Sequence, residues 1–192
     1  MPPKTRITKE GIVSAALRLV RENGATALNA RSLAEELSCS TQPIFSNFSS
    51  MEELRLALIA EAMAVYERYS ADFIGRGEHP TYKAAGLAYI AFAGEEREIF
   101  KLLFMQPKEK DEHPALTKSW QWSVSLAGDS TGYGGEEVTL FHLEMWVFVH
   151  GIATMVATGS LTLDGETVSR MLSDVYYGLR ARFGGGENEG SH

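Results

Sequence analysis

Residues 29–48 read NARSLAEELSCSTQPIFSNF, and the apolar positions in this stretch decide what fold the chain adopts. Leu33, Ala34 and Leu37 fall on one helical face after Asn29, a residue type that caps helix starts. Ile44, Phe45 and Phe48 follow Ser40, which stands as the cap of a second, very short helix. The two segments meet across a turn near Ser38 and Cys39, which is helix-turn-helix spacing. With Leu33, Ala34, Leu37, Ile44 and Phe48 facing inward, the first turn of the second helix projects Thr41, Gln42, Ser46 and Asn47 outward. Such side chains read base edges or hold phosphates.

Upstream, Thr8 N-caps a helix carrying Ile12, Ala16, Leu19 and Val20 at three- and four-residue spacing, and Gly24 stops it. Downstream, Ser50 with Glu53 forms a capping box that opens a long helix through Leu54, Leu58, Ala62, Val65, Tyr69 and Phe73. GRGEHP at 75–80 breaks the pattern. Helical stretches resume at about 81–94, 95–105 and 115–127, with the polar PKEKDEHP of 107–114 as a connector and GDSTGYGG at 128–135 as a flexible loop. Two strongly apolar helices, about 136–158 and 165–183, precede a Gly/Glu/Ser tail expected to be disordered. No segment alternates with period two, so the chain reads as all-α. The expected organisation is a three-helix helix-turn-helix head over 1–49, a helical effector-binding and dimerisation body over 50–183 joined to it by the helix from 50, and a tail over 184–192.

Composition narrows the class. The 192 residues are 44% apolar and 22% charged, which excludes collagen-like and intrinsically disordered chains. A single cysteine, Cys39, makes no internal disulfide, and no secretory leader is read, so the expected compartment is the cytoplasm. The most apolar run, 145–157, is interrupted by His150 and Gly151 and falls short of the roughly 18 residues of a membrane span, so no membrane is expected. The net charge of −7 is uneven: residues 1–48 carry +2 and the remainder −9. A mildly basic head on an acidic body suits a protein that offers one small face to a polyanion.

From about residue 8 to 62 the chain resembles the DNA-binding region of TetR/AcrR-family bacterial transcriptional regulators. The resemblance rests on Ala15, Ala16 and Gly24, on Leu33 and Ala34, on Ser40, on Ile44, Phe45 and Phe48, and on Ser50, Glu52 and Leu54. It departs from the family's usual pattern at Ser38 (usually glycine), Gln42 (often glycine), Phe45 (usually a phosphate-binding tyrosine) and Met51 (commonly lysine). The resemblance implies a double-stranded DNA operator as partner, with Lys4, Arg6, Asn29, Arg31, Ser40, Thr41, Gln42, Phe45, Ser46 and Asn47 as the contact set. Lys4 and Arg6 would reach phosphates or the minor groove from a flexible arm, and Gln42 suits bidentate pairing with adenine.

The body carries no defensible catalytic pattern, cofactor or metal motif. GDSTGYGG lacks the ending of a phosphate loop, and His142, Glu144 and His150 lack metal-ligand spacing. Its aromatic residues are mostly core, yet Tyr66, Tyr69, Phe73, Tyr89, Phe92, Phe104, Trp120, Trp146 and His150 are of the kind that line an apolar effector pocket. WVFVHG at 146–151 is similar to a Trp-x-x-x-His-Gly pattern in one branch of the family. The family resemblance further implies a homodimer through the helices at about 136–158 and 165–183, with Gly151, Gly159, Ala153 and Ala157 permitting close helix approach. The expected activity is ligand-responsive regulation of transcription, as a repressor released by a small apolar or aromatic molecule through the lever of the helix from residue 50. The alternative, favoured by Phe45, Met51 and the acidic balance, is a helical ligand- or partner-binding protein that has lost specific DNA binding; a small helical enzyme using His142 or His150 is more remote.

Overall fold

The computed structural model describes residues 7–106 and 114–184; Lys4, Arg6, most of the 107–114 connector and the tail from 185 lie outside them. Among the described residues the regular elements are helices: α1 (Lys9–Asn23), a 3₁₀ turn (Ala25–Ala27), α2 (Ala30–Glu36), α3 (Gln42–Asn47), α4 (Met51–Gly75), α5 (Thr81–Glu95), α6 (Arg97–Phe104), α7 (Pro114–Thr131), α8 (Gly135–Ala157) and α9 (Gly165–Gly184).

Several boundaries follow from identifiable chemistry. Thr8 caps α1 by accepting from the Gly11 N–H, and Gly24, at φ 80°, ends it in a conformation that favours glycine. Asn29 and Ser32 form a reciprocal capping box at α2. Ser40 does not cap α3: the flanking residue is Thr41, already in helical geometry and without a side-chain cap bond. Pro43 in the first turn has no N–H, so one donor that a cap would satisfy is absent. The Ser50 box is half-formed. Ser50 Oγ accepts from the Glu53 N–H at 3.1 Å, but the Glu53 carboxylate takes the Ser49 N–H and hydroxyl, both at 2.8 Å. The glycine-rich stretch is not a loop from 128. α7 continues to Thr131, whose hydroxyl donates to the Ala127 carbonyl at 2.7 Å, and only the residues around Gly132, at φ 80°, turn the chain.

Two compact units are interleaved in sequence: Met1–Glu67 with Glu96–His113, and Arg68–Glu95 with Pro114–His192. The chain passes between them within α4, at the short joint from α5 to α6, and through 107–114. In the first unit, Ile12, Ala15, Ala16 and Val20 of α1, Leu33 and Ala34 of α2, Ile44 and Phe48 around α3, and Leu54, Leu58 and Met63 of α4 are buried. α6 adds Ile99 and Phe100 to the buried residues and is tied to α1 by Arg21 Nε donating to Glu96 Oε2 at 2.8 Å.

In the second unit α5 and α8 run parallel: Tyr82 meets His142, Tyr89 meets His150, and Gly94 lies against Val156. Glycines of α5 give room to both neighbours: a Cβ on Gly94 would stand 3.3 Å from Val156 Cγ1 of α8, and one on Gly86 would stand 3.0 Å from Leu172 Cδ2 of α9. Ala153 and Ala157, expected to aid helix approach in a dimer, are instead buried within the unit. α7 and α9 run antiparallel to α8, with Ala127 near Val138, Trp120 near Trp146, and Phe183 on Phe141. At 23 residues α8 is long and apolar enough to cross a membrane by length and composition alone. In the fold one face of it, through Val138, Phe141, Met145, Val149 and Ile152, is core.

Candidate functional site

The α2–turn–α3 corner is built on Leu33, Ala34, Ile44 and Phe48, which are buried and hold the two short helices against the rest of the first unit. The turn passes through Ser38, which at φ 50° is the only non-glycine with positive φ among the described residues. That left-handed conformation explains the preference for glycine here: an L-residue pays roughly 1–2 kcal/mol to adopt it. With the apolar side inward, Ser40, Thr41, Gln42, Phe45 and Ser46 are exposed on the outer side. The Phe45 ring is 49% exposed, an apolar surface suited to a thymine methyl or sugar but without the hydroxyl for a phosphate.

Other members of the expected contact set are already occupied. Asn29 Oδ1 accepts from the N–H groups of Arg31 and Ser32, and its Nδ2 donates to the Ala27 carbonyl at 3.3 Å. Half-buried Asn47 donates to the Pro43 carbonyl at 2.8 Å, and Ser46 Oγ donates to the Gln42 carbonyl at 2.9 Å. The described cations of the head are each paired with a carboxylate: Lys9 with Glu53, Arg18 with Glu36, Arg21 with Glu96, and Arg31 with Glu35. Lys9 also lies 4.6 Å over the Phe48 ring, and its ammonium with the Ser49 donors holds the Glu53 carboxyl down to about 2. Arg31 differs from the rest. Its side chain is 91% exposed and its 3.2 Å pair with Glu35 is of the weak i,i+4 kind, so it exchanges to a phosphate at little cost.

The expected pocket residues divide between the two units. Tyr66 and Phe104 pack edge-on at 5.3 Å in the first. Tyr69 and Phe92 pair at 5.4 Å in the second, where Phe73 lies under Arg76 at 4.8 Å. The remaining four join a continuous aromatic chain. Tyr89 Oη is 2.9 Å from His150 Nδ1, His150 stacks on Trp146 at 4.7 Å and 13°, and Trp146 meets Trp120 edge-on at 5.9 Å. The chain then runs to two residues that the sequence did not mark for a ligand: Trp120 is 4.7 Å from His142, whose Nδ1 is 2.9 Å from Tyr82 Oη. Their signal was periodic, since Tyr82 and Tyr89 are seven apart and His142, Trp146 and His150 four apart, each set on one helical face.

His142 is 5% exposed, and its Nε2 has no hydrogen-bond partner among the described residues. Burial pushes its imidazole down to about 4 and lowers that of His150 as well. The unfolded chain protonates His142 near 6.5 while the folded one keeps it neutral, so its stability contribution is complete above about 6.5 and is lost as pH falls toward 4. The expected loss is up to roughly 3 kcal/mol. Urea unfolding at stepped pH should show wild type losing stability relative to His142→Phe across that window; parallel curves would refute the neutral native histidine.

Two family descriptions match the chain: "Bacterial regulatory proteins, tetR family" over residues 12–58, and "Tetracyclin repressor-like, C-terminal domain" over residues 82–175. An uncharacterized HTH-type transcriptional regulator of Mycobacterium tuberculosis is 24% identical over 182 residues, covering 92% of this chain and 81% of that protein. A protein with unknown function from Rhodococcus has a similar structure, with TM-score 0.77 and 20% identity, over 94% of this chain and all of the other. The multidrug binding protein EbrR, solved in complex with malachite green, matches at TM-score 0.65 and 16% identity, over 87% of this chain and 96% of the other.

Proposed function

Because the chain belongs to the tetR family of bacterial regulatory proteins, we propose that it is a cytoplasmic, homodimeric repressor whose hold on a DNA operator is released by a small molecule. The observation that carries the DNA reading is the α2–turn–α3 corner, with Thr41, Gln42, Phe45 and Ser46 exposed over a buried apolar base. In a dimer the two copies of α3 enter successive major grooves about 34–36 Å apart. Gln42 offers an amide to adenine, Phe45 an apolar face to thymine, and Arg31 a guanidinium to the backbone, joined by Lys4 and Arg6.

Support for the dimer comes from α8, which leaves Leu140, Leu143, Val147 and Met155 exposed along one face opposite its core face. A helix buried on one side and apolar on the other is suited to a second copy of itself, and an isologous two-fold contact closes the assembly. Effector binding in the second unit then acts by differential affinity for two arrangements of the dimer. α4 and the α5–α6 joint are covalent routes by which a change in that unit reaches the reading head. The α6 end is anchored to α1 through Arg21 and Glu96.

The test is binding to a fluorescent duplex carrying the promoter beside the protein's own gene, at several salt concentrations, against a scrambled duplex. With Lys4, Arg6 and Arg31 of each protomer on phosphates, log K is expected to fall against log salt with a slope of about −5, which Arg31→Ala reduces by about 2. Absence of salt-dependent binding to any duplex would support the alternative, a helical ligand- or partner-binding protein without specific DNA binding.

A further inference from the structure

We propose that the second unit takes a neutral aromatic molecule bearing a carbonyl-type oxygen, held by the His142 Nε2–H as hydrogen-bond donor and by Trp120 against its ring. The proposal rests on the reading of the chain as a ligand-responsive regulator and names the chemistry of that ligand. It begins from an imbalance. Ser70 Oγ, Thr154 Oγ1 and His142 Nε2 are the buried side-chain polar atoms without a partner among the described residues. Rotation about χ1 brings a helical Ser or Thr hydroxyl within reach of a carbonyl one turn back, so the deficit at Ser70 and Thr154 is easily repaired. The imidazole does not share that freedom, because Tyr82 Oη at 2.9 Å fixes its other nitrogen and Trp120 at 4.7 Å packs on its ring.

The direction of the Tyr82 bond sets what Nε2 offers. A phenol is a stronger donor than a neutral imidazole N–H, and an unprotonated ring nitrogen is a strong acceptor, so Tyr82 donates to Nδ1 and the proton of His142 sits on Nε2. The free group is then a donor in an apolar setting, and it calls for an acceptor. Leaving it unmade costs more than the bond returns in water, which makes it an effective discriminator between ligands with and without an acceptor.

Charge fixes the rest. Among the described residues the buried polar side chains are Ser70, Thr131 and His142, with no buried Asp, Glu, Lys or Arg. An anion or a cation drawn into this interior meets no counter-ion, and an unpaired buried charge is strongly disfavoured. His150 stacks on Trp146 within 13° of parallel, so one face of that indole is closed to a cation. Neutral His142 also adds no positive charge to attract a carboxylate.

The experiment uses the full chain and four probes of one shape: 2-acetylnaphthalene, 2-isopropylnaphthalene, 2-naphthoate and 2-naphthylmethylammonium, titrated by calorimetry at pH 7.5. The ketone is expected to bind about 10- to 100-fold more tightly than the hydrocarbon, and both ions more weakly than the ketone. In His142→Phe the ketone preference should fall to about one while the hydrocarbon still binds. Should that variant fail to fold, Tyr82→Phe serves, since it frees the tautomer and should cut the preference several-fold. Equal binding of ketone and hydrocarbon, tighter binding of either ion, or no binding of the ketone would each overturn the proposal. Duplex binding by the same samples separates the two readings: a chain that binds its promoter but lacks the probe order loses only the ligand chemistry, and one with the probe order but no duplex binding loses only the regulator reading.

Discussion

In the proposed dimer, replacing Leu143 and Val147 together by glutamate is expected to separate the protomers without unfolding the chain. Both side chains are exposed, 42% and 58%, so the folded protomer accommodates the carboxylates in water. In the paired state four added charges face one another across an apolar contact that excludes solvent, and burying even one unpaired carboxylate is prohibitive. Loss of the second reading head removes the avidity of two linked half-sites, so operator affinity is expected to fall about 10²- to 10⁴-fold. Light scattering gives the mass and duplex titration the affinity. A double variant that remains dimeric would place the interface away from α8.

The second large effect is expected from Phe48→Ala. Phe48 is 1% exposed, follows α3 directly and is covered by Lys9 at 4.6 Å, so truncation leaves a cavity at the base of the reading helix. The expected cost is about 3–5 kcal/mol, a large part of an ordinary domain's stability. The first unit should melt at lower denaturant and duplex binding should disappear, whereas 2-acetylnaphthalene binding in the second unit persists. Phe48→Leu, with most of the volume retained, should keep duplex binding. Simultaneous loss of both activities in Phe48→Ala would show that the two units unfold as one.

Much of this fold is legible in the sequence alone. The period of apolar residues marked the helices, and Thr8, Asn29 and Gly24 act at their ends through local chemistry alone. Ser38 shows the same locality, since a residue read as replacing the family's glycine is the one that takes positive φ. Where the reading failed, the cause was competition between neighbours. Ser40 lost its cap to the helical geometry of Thr41 and to a proline that needs no cap, and Glu53 satisfied Ser49 instead of Ser50 because its carboxylate also reaches Lys9. The loop drawn from 128 became helix because Thr131 and Gly132 bond back to α7.

Long-range placement followed different rules. Charge counts suggested a basic head, yet Lys9, Arg18, Arg21 and Arg31 are each paired, two of them with carboxylates more than forty residues away. The aromatic residues were a single pool in the sequence and belong to two units in the fold. His142, which by sequence lacked metal-ligand spacing, is met on its Nδ1 by Tyr82, sixty residues away, and has no partner on Nε2 among the described residues. By itself the sequence determined what depends on residues within one or two turns: helix positions, caps, the left-handed turn, and the apolar base of a helix-turn-helix with its polar outer side. Only the tertiary structure decided which partners use up hydrogen bonds and charges, because those are settled by distances between segments remote in the chain, and what remains unused after that pairing is what a ligand or a second copy can take.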